Sequence, residues 1–273
     1  MSKSPRYLFF CESRLMIDTQ ARQPCRLDAE RAGELLEQAI HRVVVGEDEQ
    51  GPIEAVAIRR FRPTQRIPGA DFEPLRSIAH ELAATEWPLL ARGHSLLQWQ
   101  QAHRFCGWCG HPTDILEGGH RRRCSNPECG QLHFPRTDPA VIMRITHGQR
   151  VLLGRQPSWP AQRRSVLAGF VAPGESAEQG VIREVAEEAG IRVAPESIRY
   201  FGSQHWPFPG SLMLAYTARA ETTRLSRPDE ELAEVDWWSR AELEAALRAD
   251  RISLPGTKSV ARQLIDDWRD HET

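Results

Sequence analysis

The sequence predicts an α+β protein in three parts: an N-terminal α+β domain over residues 1–102, a short four-cysteine module over 103–136, and a larger domain of sheet and helices over 137–273. Three observations predict it. Strand-like and helix-like apolar patterns interleave along the chain, four of the 6 Cys crowd into one segment, and a glutamate-rich amphipathic helix carries both a start and a stop signal. A chain of 273 residues suits about two domains at roughly 150 residues each. With 40% hydrophobic and 26% charged residues it is neither disordered nor collagen-like. Lys+Arg 35 against Asp+Glu 37 gives a formal charge of -2, so local patches, not the whole-chain field, must carry any anion recognition. No run approaches the roughly 20 apolar residues of a membrane helix, and the apolar stretch within MSKSPRYLFFCESR is too short for a signal peptide. The expectation is a soluble, cytoplasmic protein with no membrane partner.

In the first part, Val43 to Val45 and Ala55 to Ile58 read as strands, and Asp28 to Arg42 and Phe72 to Trp99 as helices. Leu35, Leu36 and Ile40 recur at helical spacing among charges, the pattern of a packing helix. No chemical motif occurs here, so the region is expected to be structural or to support a dimer. Cys11 and Cys25 stand alone and read as buried small hydrophobes. No sequence repeat or low-complexity tract is present.

The second part carries Cys106-x2-Cys109 and Cys124-x4-Cys129, a spacing that suits tetrahedral Zn2+ held by four thiolates. A closed sulfur shell leaves no position for water or substrate, so the zinc is structural and supports a segment too small to build its own core. Gly107, Gly110 and Gly130 sit where knuckles turn backbone N–H groups toward sulfur. The neighbouring His103, His111, His120 and His133 are not needed as ligands. On the intervening hairpin, His120-Arg121-Arg122-Arg123 is either a solvated turn or a contact for nucleic-acid phosphates.

The third part opens with the buried-strand run Ala140-Val141-Ile142-Met143 and continues with alternating strand and helix signals to Leu264-Ile265. Its segment AGFVAPGESAEQGVIREVAEEAGI predicts a helix from elementary rules. Ser176 and Gln179 form a capping box, Gly190 is a stop, and Val181, Ile182, Val185 and Ala189 fall on one arc. Glu184, Glu187 and Glu188 are three and four residues apart, which places all three carboxylates on a neighbouring face within reach of common ions. The bland alternative is a wet helix face on which Arg183 pairs with Glu187.

This segment resembles the Nudix hydrolase signature, G-x5-E-x7-R-E-U-x-E-E-x-G-U with U aliphatic, read here as Gly169, Glu175, Arg183, Glu184, Val185, Glu187, Glu188, Gly190 and Ile191. The resemblance implies the Nudix fold, a mixed β-sheet sandwiched between helices, and hydrolysis of a nucleoside diphosphate linkage with Mg2+ or Mn2+. It implies Glu184, Glu187 and Glu188 as metal ligands, with Glu188, or else Glu187, activating water. Arg183 would orient Glu187, Gly169 and Gly174 would give the loop its tight backbone, and Glu175 would brace it. The physical need is that a diphosphate's negative charge repels a nucleophile unless hard cations on carboxylates neutralise it.

Downstream, Ser203-Gln204-His205-Trp206-Pro207-Phe208-Pro209-Gly210-Ser211 closely resembles the S-Q-P-W-P-F-P-x-S element of the NAD(H) pyrophosphatase branch, with His205 where that branch usually has Pro. Aromatics stiffened by prolines suit a wall that receives a planar base. That branch implies cleavage of NAD(H) to AMP and nicotinamide mononucleotide, removal of NAD caps from RNA 5' ends, and a homodimer. Another nucleotide, such as ADP-ribose or a dinucleoside polyphosphate, is the alternative substrate. By the same resemblance Phe134 and Phe170 would sandwich a ring, with Phe134 coming from the partner subunit. Gln204, Trp206, Phe208, Ser211, Met213 and Ala261 would line the substrate pocket, and Glu231 would complete the metal cluster, with Glu230 and Glu234 as the competing assignments.

Overall fold

The computed structural model describes residues 4–60, 67–226 and 231–271. By internal contacts the chain divides into two compact units, one of Met1–Arg136 with Pro207–Gly210, the other of Thr137–Trp206 with Ser211–Thr273.

The first unit contains β1 (Arg6–Cys11), β2 (Arg14–Asp18), β3 (Gln23–Pro24), α1 (Ala29–Glu37), β4 (Ala39–Asp48), β5 (Gly51–Ile58), β6 (Ala70–Pro74), α2 (Leu75–Ile78) and α3 (Trp87–Ala102). Its six-stranded sheet has the order β3-β2-β1-β5-β4, with β6 on β2 and with β1 parallel to β5. Alternate side chains of β1 go to opposite faces. Leu8 and Phe10 join Leu90 and Leu97 of α3, while Tyr7 and Phe9 join Ala32 and Leu35 of α1. A strand covered on both faces reads as an unbroken apolar run, as Tyr7 to Phe10 does.

Two expected helices are corrected here. The helix expected over Asp28 to Arg42 starts on an Asp28 cap but ends at Glu37, and Ile40 lies exposed in β4. The β-branched Val43-Val44-Val45 that follows pairs with β5, and that pairing claims the chain before another helical turn forms. The stretch Phe72 to Trp99 is not one helix. Phe72 is buried in β6 opposite Met16, Pro74 precedes the single turn of α2, and Pro88 stands in the first turn of α3. Cys11 and Cys25 are half-buried rather than buried.

A separate three-stranded sheet, β7 (Thr113–Leu116), β8 (Arg121–Cys124) and β9 (Leu132–His133), forms the cysteine module in the order β7-β8-β9.

The second unit holds β10 (Asp138–His147), β11 (Arg150–Arg155), β12 (Leu167–Phe170), α4 (Ala177–Ala189), β13 (Arg199–Trp206), β14 (Ser211–Arg219), β15 (Glu234–Ser239), α5 (Arg240–Arg248) and α6 (Val260–Asp270). The sheet order is β13-β14-β10-β11-β15, with β12 on β10 and with β10 parallel to β14. Val141, Met143 and Ile145 of β10 pack toward Val181 and Val185 of α4, while Ile142 packs toward Leu243 of α5 and Leu264 of α6. The mixed sheet is therefore sandwiched between helices, as expected. Although the sequence contains no repeat, both large sheets share one plan. A hairpin runs from the central strand, and that strand also pairs in parallel with a later one (β1 with β5, β10 with β14), which in turn pairs antiparallel with its predecessor.

Candidate active site and zinc centre

In the cysteine module the four Sγ atoms all lie within 4.8 Å of one another. Cys106 and Cys129 are separated by 3.8 Å, and Cys109 and Cys124 by 3.3 Å. Sulfurs at about 2.3 Å from a tetrahedral zinc stand about 3.8 Å apart, so the donor set fits Zn2+. Gly110 (φ 75) and Gly130 (φ 56) take left-handed backbone after each knuckle; Gly107 does not, contrary to expectation. Burial pushes the Cys106 thiol up, but the Trp108 and Cys109 amides and His133 outweigh it and bring it down to about 6. Burial pushes Cys124 up to about 12.

The basic tetrapeptide is not a solvated turn. Arg122 is buried on β8, donating from Nε to the Thr113 hydroxyl at 2.6 Å and from Nη2 to the Thr113 carbonyl at 2.8 Å. Arg121 pairs with Glu117 at 2.8 Å and lies over the Phe134 ring at 5.5 Å, and His120 contacts the Val44 carbonyl at 2.8 Å. Only Arg123 of the three arginines is exposed.

The glutamate helix forms as its caps require. Ser176 and Gln179 exchange backbone and side-chain bonds, and Gly190 closes the helix with φ 67. Its three carboxylates differ in burial. Glu184 and Glu188 turn inward, 8% and 1% exposed, while Glu187 is exposed. A wet helix face is thereby ruled out for two of the three. Arg183 gathers the remainder of the site. Its Nη1 donates to Glu184 Oε1 and to Glu187 Oε2, both at 2.8 Å, and its Nε and Nη2 each donate to Glu175 at 2.9 Å. Nη2 also donates to the Phe170 carbonyl at 2.8 Å. Arg183 thus binds Glu175 bidentately rather than serving Glu187 alone. Glu175 in turn accepts from the Ala172 N–H at 2.9 Å, and Gly174 allows the bend with φ 86.

Glu184 lies beneath β12, where a β-carbon on Gly169 would collide with its carboxylate. Burial raises the Glu184 carboxyl above its usual value, offset by Arg183 and increased by the charges of Glu187 and Glu231. Glu231 is therefore close enough to be felt there. Glu184 and Glu187 converge on one cationic nitrogen, with the Glu184 carboxylate in the space that Gly169 leaves by having no side chain, and carboxylate oxygens are the donors that hard divalent ions take.

The strand register explains the opposite wall. Phe170 pairs with Ala140, Ala140 with Met213, and Met213 with Gln204, which places these residues in one rank on the sheet face away from Val141 and Gly169. Phe170 is 60% exposed, Met213 and Trp206 are half-buried, and Ser211 is buried opposite Trp206. Ala261 packs in the same layer as Met213. Gln204 braces the start of α6, donating to the Lys258 carbonyl and accepting from the Val260 N–H, both at 2.9 Å. His205 is half-buried, and burial lowers its pKa. Phe134 (52% exposed) and Phe208 belong to the first unit, where Phe208 packs on Trp87 and His94.

Glu234, one competing assignment, is committed elsewhere: it pairs with Arg155 and Arg164. Glu230 lies outside the described residues. Sequence reading missed this arginine pair, since nothing in the sequence marks Arg164 as buried or ties Arg155, at the end of β11, to Glu234.

A Nudix domain thus accounts for the sheet, the glutamate helix and the loop that Glu175 braces. Comparison with known proteins agrees: the Nudix domain family matches residues 135–256, the NADH pyrophosphatase zinc ribbon domain matches 101–134, and the NADH pyrophosphatase-like rudimentary Nudix domain matches 4–99. The NAD-capped RNA hydrolase NudC of Stutzerimonas stutzeri is 38% identical over 200 residues, covering 73% of this chain and 68% of the relative. That of Mycobacterium tuberculosis is 40% identical over 209 residues, 73% of this chain and 66% of the relative. The NAD-capped RNA hydrolase NUDT12 of Homo sapiens is 36% identical over 199 residues, 69% of this chain but 43% of the relative's length. The chain belongs to the Nudix family, in the branch that carries the NADH pyrophosphatase zinc ribbon and rudimentary Nudix domains.

Proposed function

We propose that the protein hydrolyses the diphosphate of NAD(H) to AMP and nicotinamide mononucleotide and removes NAD caps from RNA, leaving a 5'-monophosphate. The observation that carries this reading is the meeting of Glu184 and Glu187 on a single Arg183 nitrogen at 2.8 Å, with the Glu184 carboxylate in the space left by Gly169. The relatives named NAD-capped RNA hydrolase support the substrate class.

In this reading Glu184, Glu187, Glu188 and Glu231 hold Mg2+ or Mn2+. Bound there, such ions neutralise the diphosphate, orient the attacking water and lower its pKa. Glu188 accepts the water's proton as the new P–O bond forms and the bridging P–O bond breaks. Arg183 and Glu175 keep the helix and loop in register, so that the carboxylates stay in place without reorganisation. Phe170 and the partner subunit's Phe134 sandwich the planar ring, while Trp206, Ser211, Met213 and Ala261 line the nucleotide and Gln204 holds α6 against it. Exposed Arg123 meets the RNA backbone. The functional unit is a cytoplasmic homodimer, to be checked by light scattering and fractionation; among the described residues no helix is long and apolar enough to cross a membrane.

Initial rates with NADH, NAD+, ADP-ribose and diadenosine polyphosphates test the substrate, with NAD-capped and triphosphate RNA alongside. The expected result is preference for NAD(H) and removal of the NAD cap alone. A clear preference for ADP-ribose overturns it.

A further inference from the structure

The short segment carrying Glu231 is anchored by groups that the rest of the site leaves unused. Three residues beyond Glu231, the Glu234 carboxylate accepts from Arg155 Nε at 2.8 Å and Nη2 at 2.7 Å, and it also pairs with Arg164 Nη2. Between the two glutamates, the Ala233 N–H donates to the Arg155 carbonyl at 2.8 Å. Leu232 is buried against Gly154, where an added β-carbon would approach Leu232 Cδ1 to 2.8 Å.

The two arginines are themselves fixed. Gly154 and Ser165 exchange backbone bonds at 2.8 and 3.0 Å, and Arg155 and Arg164 are the chain neighbours of that bridge. Arg164 is 8% exposed and donates from Nη1 to the Ala161 and Arg163 carbonyls at 2.8 and 3.0 Å. Withdrawing two guanidinium groups onto one carboxylate is a weak way to gain stability, because desolvation offsets the attraction. What it does provide is a fixed backbone position, since planar forks hold a carboxylate in one orientation.

We infer that Arg155, Glu234 and Arg164 are positioning residues that fix the segment carrying Glu231, so that the Glu231 carboxylate reaches the ions held by Glu184 and Glu187. The inference rests on the proposed ligand role of Glu231 and adds to it the device that sets its geometry.

The test is Mn2+ titration of the zinc-loaded full chain, followed by electron paramagnetic resonance and calorimetry. Partners of metal ligands typically contribute about 10- to 100-fold in affinity, so Glu234→Gln is expected to weaken Mn2+ binding by about that factor while the bound zinc is unchanged. Because the clasp acts through Glu231, the double variant Glu231→Gln/Glu234→Gln should bind Mn2+ no more weakly than Glu231→Gln alone. Should Glu234→Gln unfold before titration, Arg164→Gln keeps the Arg155 pair and is expected to show the same weakening and the same non-additivity. If Glu231→Gln weakens binding while the clasp variants bind as wild type, or if the losses simply add, the positioning role is overturned and the ligand role stands. If Glu231→Gln itself binds Mn2+ as wild type, the ligand role falls and the clasp inference with it.

Discussion

The Glu184 carboxylate occupies the space that a side chain on Gly169 would fill. Gly169 pairs with Val141 in the sheet, and its neighbour Phe170 pairs with Ala140, so consecutive residues serve opposite faces. One leaves room for the carboxylate, and the other presents an aromatic ring 60% exposed. The strand period of two therefore puts the Glu184 carboxylate and the Phe170 ring on opposite faces of the sheet.

Gly169→Ala should consequently cost both activity and stability. The added methyl displaces Glu184 by a distance of order 1 Å, a misplacement that lowers turnover about 10²-fold, whereas overpacking costs about 1–3 kcal/mol. Hydrolysis of NADH with Mn2+ and thermal melting measure the two effects. Wild-type turnover in this variant would remove Glu184 from the site.

Glu188 is the most buried of the three helix glutamates, at 1% exposure, while Glu187 is exposed. Replacing Glu188 by Gln keeps the shape and removes the charge, so kcat is expected to fall by about 10²- to 10³-fold, comparable to losing a major electrostatic group. The folded state should survive by circular dichroism. Undiminished kcat would refute its role as base.

The glutamate helix was legible because its signals are local: Ser176, Gln179 and Gly190 act within a few residues of the turns they cap. The ligand spacing of Cys106, Cys109, Cys124 and Cys129 is legible for the same reason. Direction was harder to read. That Glu184 and Glu188 are buried while Glu187 is exposed depends on where β12 and Arg183 lie, and the buried Arg122, opposite Ile115 on β7, finds its partner in Thr113 of that neighbouring strand. The expected helix ends at Arg42 and Phe72 failed where sheet pairing from distant β5 and β2 overrode helical spacing. The Arg155 and Arg164 clasp left no trace in the sequence, because it is assembled from residues some 70 to 79 positions from Glu234.

Acid should loosen the loop that Glu175 braces. Hydrogen bonds from Arg183, then from the Ala172 amide, hold the Glu175 carboxyl below its usual 4.5. A carboxyl lowered in the folded state contributes stability that is present above about pH 4.5 and lost as pH falls through the lower folded value. Melting temperature should therefore drop on acidification below that point, and Glu175→Gln should lower it at neutral pH and flatten the acid slope. An unchanged slope in the variant would show that the clamp contributes nothing.

Two adjacent arginines of the cysteine module differ in burial, Arg122 buried and Arg123 exposed. Arg122 satisfies the Thr113 hydroxyl and carbonyl from a buried position, so Arg122→Ala should destabilise the module by about 1–3 kcal/mol, the cost of leaving buried partners unmet. Arg123, exposed on the same strand, makes no comparable demand, and Arg123→Ala should leave melting unchanged while weakening NAD-capped RNA binding and lowering its salt dependence. Free NADH, which lacks the RNA chain, should be cleaved at the wild-type rate by Arg123→Ala. Stripping zinc with a thiol-reactive mercurial should reproduce the Arg122→Ala loss in the module and exceed it, because four thiolates then lose their common ion. Equal losses of RNA binding and NADH turnover in Arg123→Ala would place that residue in the fold rather than on the RNA.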